Sequence, residues 1–287
     1  MKCRYTGFRY IGLIILLVFA SVPAEAQLFK PFTSFRVIKT EHFDIIFPKE
    51  SEASARILAS YADSVYEEIS SLLGIKLPCR IPVTFAPHTD RFNGYFRPIP
   101  GPGIVLFDTP MDLEWTTFDN SLKGLFIHEL VHAVSLNSRE GFYRPLYHVF
   151  GSWASPAFFN APPFMVEGVT ISFESLSGFG RANDLLIKQK LRQAIHEGKF
   201  LTPFQTAGVY DLPGQPGAWY DYGGLFSAWL QHQYGMEKYA ELWQRMGRSC
   251  NSARKTGKNI IQFWKNTVFY SVLGCFIVFS SISKTAF

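Results

Sequence analysis

The sequence predicts an α+β fold, with a mixed α/β part at residues 27–120 followed by a mainly helical part at residues 121–247. Three observations support this prediction. Short runs rich in β-branched and aromatic residues are concentrated before residue 110, whereas later apolar residues recur mostly at helical spacing. A strongly apolar helical segment, which contains the sequence H-E-L-V-H, stands between the two parts. The chain of 287 residues is also long enough to bury a substantial core.

The first part is predicted to contain strands and one long helix. Residues 35–47 are rich in β-branched and aromatic side chains and predict one or two strands. Residues 51–73 have apolar side chains at the spacing of an amphipathic helix, with a glycine directly after them to end it. Two short strands follow at residues 81–85 and 104–107, and turn-forming glycines and prolines bound the second.

The second part is predicted to be helical apart from one long connection. Residues 121–136 have the apolar pattern of a buried helix. Residues 137–163 contain four prolines and many aromatic side chains, and they predict a long loop. Three further helices are expected at residues 164–176, 183–196 and 223–234, the last two closed by glycine.

Residues 1–26 have the features of a secretory signal peptide. A basic start precedes a short apolar run, and Ala24-Glu25-Ala26 resembles a cleavage site with small residues. The apolar run is short for a transmembrane helix. We therefore expect cleavage near Ala26 and a mature protein that is periplasmic, bound to the cell envelope or secreted.

Three cysteines remain after this cleavage, at positions 79, 250 and 275. An odd number argues against a disulfide framework, although a single bridge between Cys79 and Cys250 stays open. The net charge of +5 arises at the ends of the chain, because six basic residues and no acid follow residue 247. The segment 27–247 is mildly acidic, so nucleic-acid binding is not expected.

The tail, residues 248–287, differs in composition from the rest of the chain. Residues 267–283 form an uncharged and largely apolar run near the lower length limit for a membrane span. Membrane association through this run is one interpretation, although its flanking basic residues oppose the positive-inside tendency. A buried final helix and an aberrant end caused by a frameshift or truncation are the other two.

The sequence H-E-L-V-H at residues 128–132 indicates metal chemistry. His128 and His132 are four residues apart, which places them one turn apart on the same face of a helix. Two imidazoles in that position can bind one metal ion, and Glu129 lies beside them to act as a general base. The pattern is typical of zinc-dependent hydrolases. A helix that merely carries two ordinary histidines is the alternative.

Catalytic zinc usually takes three protein ligands, so the sequence must offer a third. The extended motif of metzincins is absent, because serines stand where it needs a glycine at position 135 and a histidine at position 138. Glu167, in the segment P-F-M-V-E-G, is the best candidate. Its rivals are Glu140, His148 and Glu174.

The segment H-E-L-V-H followed by P-F-M-V-E-G-V-T-I-S-F-E resembles the gluzincin branch of the zincin metallopeptidases. It is most similar to bacterial peptidase-MA-like proteins and, more distantly, to aminopeptidase-N-like enzymes. The resemblance covers roughly residues 35–245 and implies a zincin-like fold with the H-E-x-x-H helix at the junction of its two parts. It also implies that Glu167 is the third zinc ligand and that Glu174 accepts the free N–H of a ligand histidine. Phe164 departs from the tryptophan that family members often have.

Two further roles follow from the resemblance. Tyr220, in the segment Y-D-Y-G, would donate a hydrogen bond to the oxyanion of the transition state, with Tyr222 as its rival. An edge strand before the metal helix would bind the backbone of the substrate. The residues expected to form that strand are Ile104, Val105, Leu106 and Phe107.

These observations predict an exported zinc metallopeptidase that hydrolyses peptide bonds. Zinc would activate a water molecule, and Glu129 would serve as the general base. The expected partner is a peptide or protein substrate. Two alternatives remain: a non-catalytic zincin scaffold in envelope assembly, and a hydrolase of a non-peptide amide or ester.

Overall fold

The computed structural model describes residues 29–30, 32–99, 101–109, 120–207 and 217–265. The signal peptide predicted at residues 1–26 and the apolar run at residues 267–283 lie outside the described residues. Within the described residues, no helix is both long and apolar enough to cross a membrane.

A five-stranded mixed sheet forms the N-terminal part, in the order β1-β2-β3-β5-β4. Strands β1 (Phe35–Lys39) and β2 (Phe43–Pro48) form an antiparallel pair. Strand β3 (Ile81–Ala86) runs parallel to both β2 and β5 (Gly103–Phe107). Strand β4 (Gly94–Arg97) pairs antiparallel with β5 and forms one edge of the sheet, and β1 forms the other. The sheet and the helices together confirm the predicted α+β class.

Helix α1 (Glu52–Leu73) packs against the sheet and has the bounds that the periodicity predicts. Its buried side chains, among them Leu58, Val65 and Ile69, recur at helical spacing and join the main hydrophobic core. Gly74 ends the helix in the left-handed conformation, at φ +63°, which only glycine adopts without strain.

Helix α2 (Ser121–Leu136) carries the H-E-x-x-H sequence and lies between the two parts of the fold. The side chain of Asn120 caps it by accepting a hydrogen bond of 2.9 Å from the backbone N–H of Lys123. The helix contacts α1 and the sheet on one side and the later helices on the other, so it is buried nearly all round. This burial explains why its sequence is apolar on every face.

The C-terminal part is helical. The five helices that follow the 137–163 segment are α5 (Pro163–Glu174), α6 (Leu185–His196), α7 (Pro203–Ala207), α8 (Ala218–Tyr234) and α9 (Met236–Met246), and the last described helix is α10 (Cys250–Lys265). The pair α5 and α8 packs most extensively, and α5 also packs on α2.

The prediction of a loop at residues 137–163 is wrong. The segment forms α3 (Tyr143–Phe150), a 3₁₀ turn (Gly151–Ala154) and α4 (Pro156–Asn160). Proline needs no hydrogen-bond donor in the first turn of a helix, and both Pro145 and Pro156 lie in first turns. The prolines therefore begin these helices instead of interrupting them.

The prediction that residues 104–107 form an edge strand is also wrong. Residues Ile104, Val105, Leu106 and Phe107 belong to β5, which pairs with β3 on one side and β4 on the other. Its backbone groups are therefore used within the sheet and cannot pair with a substrate. The edge on this side of the sheet is β4, a four-residue strand too short to be recognised from its pattern.

The bridge between Cys79 and Cys250 is not formed. Both cysteines are free and exposed. The thiol of Cys79 lies 3.4 Å from the hydroxyl of Tyr147, and that of Cys250 lies 3.8 Å from the hydroxyl of Tyr143.

The crossing of α5 and α8 depends on two glycines that face each other. A Cβ atom on Gly223 would overlap the backbone carbonyl oxygen of Phe164, and one on Gly168 would lie 2.7 Å from both the carbonyl carbon of Gly223 and the hydroxyl of Ser227. Side chains at either position would force the two helices apart. Since α5 carries Glu167 and α8 carries Tyr220, this contact also sets the geometry of the site described below.

We expect Gly223→Ala to lower the free energy of unfolding by about 2 kcal/mol or more, as measured by urea denaturation. In an ordinary helix this substitution would stabilise by about 1 kcal/mol, so the sign of the change tests the close contact. Gly101→Ala is the control, because a Cβ atom there meets nothing within 4 Å. A Gly223→Ala variant more stable than the wild type would contradict the packing.

Candidate metal centre

Helices α2 and α5 bring three metal-binding side chains together. His128 and His132 project from α2, and Glu167 projects from α5. The Oε2 atom of Glu167 lies 3.3 Å from the Nε2 atom of each histidine. The ligand atoms of all three residues lie within 4.8 Å of one another, so the group could hold a metal ion.

The bonding around these atoms fits a cation. The Oε2 atom of Glu167 is buried and has no hydrogen-bond partner among the described residues, and the same is true of Nδ1 of His132. A buried carboxylate oxygen without a partner is rare in folded proteins, because its desolvation is not compensated. Two imidazoles and one carboxylate whose donor atoms converge on one point are a ligand set that binds zinc.

The neighbouring side chains of the cluster shift each other's pKa values in the direction that favours their charged forms. Burial alone would raise the pKa of Glu167, but the neighbouring His132 and His128 hold it well below its usual value. Burial would lower the pKa of His128, and the carboxylates of Glu167 and Glu174 beside it outweigh this effect and raise it to about 9. Glu167 is therefore ionised at neutral pH, as a carboxylate ligand must be.

Glu174 orients the first histidine. Its side chain is completely buried, and its Oε2 atom accepts a hydrogen bond of 2.9 Å from Nδ1 of His128. This contact holds the ring through Nδ1 and leaves Nε2 3.3 Å from both Oε2 of Glu167 and the hydroxyl of Thr170. The expected contact between Glu174 and one of the two histidines is therefore present.

Arg181 balances the charge of Glu174. Its guanidinium donates from Nε to Oε1 over 2.8 Å and from a terminal nitrogen to Oε2 over 2.9 Å. Burial favours the neutral acid, but the charge and hydrogen bonds of Arg181 prevail and lower the pKa of Glu174 to about 2. Sequence reasoning missed Arg181, since no motif marks a lone arginine in the turn after α5.

Glu129 lies beside the three-residue group on α2 and is almost completely buried. Burial raises the pKa of its carboxyl group, although the charges of His128 and His132 act in the opposite direction. The backbone N–H of Phe96, in the edge strand β4, donates a hydrogen bond to it. The carboxylate is thus held between the two histidines and the open edge of the sheet.

The structure distinguishes Tyr220 from Tyr222. Tyr220 lies in the first turn of α8 and lines the same pocket as the histidines, with its ring centre 6.4 Å from that of His128. The guanidinium of Arg181 lies 5.2 Å from the centre of the Tyr220 ring, and burial raises the pKa of this phenol to about 12. Tyr222 is instead buried in the core against Phe200.

The other candidates for the third ligand lie elsewhere. Glu140 forms an ion pair of 3.1 Å with Arg248, and His148 is exposed on α3. Both line a different cavity from that of His128 and His132. Of the rivals, Glu174 alone comes near the histidines, and it contacts Nδ1 of His128 rather than the converging ligand atoms.

The pocket around the metal-binding group has a volume of about 500 Å³. One wall is formed by Asn93 and by β4, which contributes Gly94, Tyr95 and Phe96. Since the carbonyl of Asn93 accepts a hydrogen bond from Phe107, the alternation of an antiparallel pair directs the backbone groups of Gly94 and Phe96 towards the open side. The pocket therefore combines a metal-binding group with a free strand edge.

No family model matches the chain. It is 36% identical over 245 residues to a protein of Treponema pallidum (strain Nichols) that is itself described as uncharacterized. The match covers 83% of this chain but 21% of that protein, so the chain spans about a fifth of the length of its curated relative.

A crystal structure of an aminopeptidase N family protein from Idiomarina loihiensis is similar over 80% of this chain and 42% of that one. The TM-score is 0.45 and the sequence identity is 13%.

We expect Glu174→Gln to weaken metal binding by about 10- to 100-fold, because the amide no longer fixes the tautomer of His128 and leaves Arg181 without its counter-charge. Competition with a fluorescent zinc chelator measures the dissociation constant. The control is Glu140→Gln, which removes an exposed carboxylate outside the pocket. Equal affinities for Glu174→Gln and the wild type would show that this buried carboxylate does not support the site.

Proposed function

We propose that this chain is a gluzincin-type zinc metallopeptidase with a zincin-like fold. The observation that carries the proposal is the convergence of His128, His132 and Glu167 in an open pocket, with Glu129 beside them. Each of the four was expected to act there from the sequence alone. The unpartnered oxygen of Glu167 adds support, because it leaves a place that a cation would fill.

The two histidines and Glu167 would hold the ion through Nε2, Nε2 and Oε2. Bound zinc supplies a Lewis acid, which polarises a carbonyl group and lowers the pKa of water. Glu174 and Arg181 keep the ring of His128 in position and in the tautomer that leaves Nε2 free. These two residues position the side chain of His128, since neither of them contacts the atoms that would bind the metal.

Glu129 would move the proton. Its carboxylate removes a proton from the attacking water and delivers it to the nitrogen of the leaving amine. The raised pKa that burial gives this group makes it a better base than an exposed glutamate. The hydrogen bond from Phe96 limits the orientations that its carboxylate can take.

The free edge of β4 is the proposed site for the substrate backbone. An extended peptide can add to such an edge through main-chain hydrogen bonds, which recognise backbone more than side chains. The outward-directed carbonyl groups of Gly94 and Phe96 lie in the same pocket as Glu129. The N–H of Gly94 donates to the side chain of Asn93 and that of Phe96 to Glu129, so the carbonyl groups are the ones offered to a substrate. Tyr220 would then donate its phenolic proton to the scissile carbonyl oxygen as negative charge develops there.

The unit that carries this activity is proposed to comprise residues 27–247. Its export, as a periplasmic, envelope or secreted domain, is proposed from the features of residues 1–26. The relative from Treponema pallidum is several times longer, so the activity of any longer protein that contains this unit is a separate proposal.

Two substitutions separate metal binding from proton transfer. We expect Glu167→Gln to lose most of the zinc and with it the activity, because a neutral amide replaces the anionic ligand. We expect Glu129→Gln to keep about one zinc per chain while hydrolysis falls about 10²- to 10⁴-fold. Zinc is measured by elemental analysis of the purified full chain, and hydrolysis by mass spectrometry of a peptide library.

The wild type and Glu140→Gln are the reference proteins for both measurements. A folded wild type without zinc would refute the metal site. A wild type with zinc but no cleavage of any peptide would refute the peptidase and leave the metal site standing.

We expect Tyr220→Phe to lower kcat about 10²- to 10³-fold with little change in KM, because the phenol acts on charge that develops in the transition state. Tyr222→Phe is the matched control. It removes the same hydroxyl group from a core residue two positions away that does not line the pocket. Steady-state kinetics on a cleaved peptide tests this pair. Equal kcat for the two variants would remove Tyr220 from the reaction.

A further inference from the structure

Three groups surround the ring of Tyr220 in the first turn of α8. The ring centres of Trp219 and His128 lie 5.9 Å and 6.4 Å from that of Tyr220. The guanidinium carbon of Arg181 is 5.2 Å from the same ring centre. Trp219 is the preceding residue of the same turn and moves with it. His128 and Arg181 therefore hold the ring relative to the rest of the site.

The contact between Arg181 and Tyr220 is of an attractive kind. A guanidinium that lies over an aromatic ring, within about 6 Å of its centre, is attracted by the negative charge on the ring face. Its flat shape also lets it pack against the ring, which the compact ammonium group of a lysine cannot do. The position of Arg181 therefore favours one orientation of the Tyr220 ring over others.

Glu174 fixes the guanidinium of Arg181 from its other side. Two nitrogens of the guanidinium donate to the two oxygens of this carboxylate, over 2.8 Å and 2.9 Å. The backbone N–H of Arg181 donates to the same carboxylate over 3.4 Å. A two-point pair of this kind sets the plane of the guanidinium as well as its position. The group that contacts Tyr220 is therefore rigidly held.

The 3₁₀ turn that carries Arg181 (Arg181–Asn183) is tied to the end of α5. The backbone N–H of Ala182 donates to the hydroxyl of Ser175 over 3.1 Å, and the side-chain amide of Asn183 donates to the carbonyl of Ser175 over 2.7 Å. Gly180 enters the turn at φ +91°, and a Cβ atom there would lie 2.6 Å from the Ser175 hydroxyl. Close packing on α5 thus fixes the backbone of Arg181 as well.

We propose that Arg181 is a positioning residue for Tyr220 and holds its phenol towards the carbonyl oxygen of the substrate. The inference rests on the proposed function, in which Tyr220 is the oxyanion donor. Glu174 would then serve both sides of the pocket. It contacts His128 directly, and it reaches Tyr220 through Arg181. A metal-binding histidine and the hydrogen-bond donor are thereby placed relative to the same buried carboxylate.

Positioning matters for this kind of donor because it acts on charge that develops in the transition state. A donor stabilises that charge most when it already points at the oxyanion and does not have to reorient during the reaction. The charge of Arg181 also favours donation. Burial raises the pKa of Tyr220 to about 12, and the positive charge of Arg181 acts in the opposite direction. Arg181 therefore supports both the place and the strength of the hydrogen bond.

A double-mutant cycle with Arg181→Lys and Tyr220→Phe tests the proposal on the full chain. Lysine keeps a positive charge beside Glu174 but has no flat group to lie over the ring. We expect Arg181→Lys to keep its zinc and to lower kcat about 10-fold or more with little change in KM. Tyr220→Phe should then cost at least about fivefold less in kcat than it costs in the wild type, because the phenol is already misplaced. Losses that simply multiply would overturn the proposal.

Arg139→Lys is the matched control for the kinetics. The guanidinium of Arg139 also lies over a tyrosine ring, that of Tyr147 at 4.0 Å, but both residues line a different cavity from the metal-binding group. This variant should keep the kcat and the zinc of the wild type. A loss of kcat in Arg139→Lys equal to that in Arg181→Lys would show that the effect does not arise at Tyr220.

A spectroscopic measurement tests the position of the ring without any reaction. With 3-fluorotyrosine in place of Tyr220, the metal-free full chain gives one ¹⁹F signal that reports on the surroundings of this ring. We expect both Arg181→Lys and Glu174→Gln to shift it, because each releases the guanidinium from its place. The same label in place of Tyr222, whose ring packs against Phe200, should not respond. A signal at position 220 that neither variant shifts would overturn the proposal.

The outcomes separate this inference from the proposed function. A wild-type kcat for Tyr220→Phe would refute the role of Tyr220 and this inference with it. Cleavage that depends on Tyr220 but not on Arg181, with an unshifted ¹⁹F signal, would refute this inference alone. If no peptide is cleaved, the proposed activity is refuted, and the ¹⁹F spectra decide by themselves whether Arg181 positions the ring.

Discussion

The ionised, buried carboxylate of Glu174 is the constraint on which the rest of the site depends. A buried carboxylate keeps its charge only where nearby cations and donors replace the lost water. Arg181 and His128 fill that role here. Because His128 is held through Nδ1, its Nε2 atom faces Glu167 and His132. The buried charge of Glu174 thereby determines how the imidazole of His128 is oriented towards the other two side chains of the metal-binding group.

The backbone that supports this arrangement is the three-helix packing of α2, α5 and α8. Helix α5 contacts α2 through Glu167 and Glu174, two turns apart on the side that faces the histidines. Its other side approaches α8 at Gly168 and Gly223, so closely that neither position accepts a side chain. Tyr220 then enters the pocket from the first turn of α8. The glycines are therefore as necessary to the geometry as the ligand residues are.

The charged side chains of the pocket form one connected set of ion pairs. Glu167 contacts both histidines, His128 contacts Glu174, and Glu174 is paired with Arg181. The edge strand β4 lines the same pocket, and the backbone N–H of Phe96 donates a hydrogen bond to Glu129. The buried charges and the edge of the sheet therefore meet in one place.

The sequence by itself determined the elements that depend on local pattern. Helix α2, helix α1 and its glycine terminus, and the strands of the core follow from periodicity, and the spacing of His128, Glu129 and His132 fixes their common face. Glu167 was the best candidate for a third ligand in the sequence, and the separate roles of Glu167 and Glu174 followed from a family resemblance carried by two segments. Tertiary structure decided what pattern could not express: Arg181 has no neighbours in sequence that mark it, and β4 is too short to show alternation. It also decided which strand is at the edge and which tyrosine enters the pocket, because both depend on contacts between segments far apart in the chain. The helices at residues 143–160 were missed for the related reason that a proline begins a helix or ends one according to the turn in which it stands.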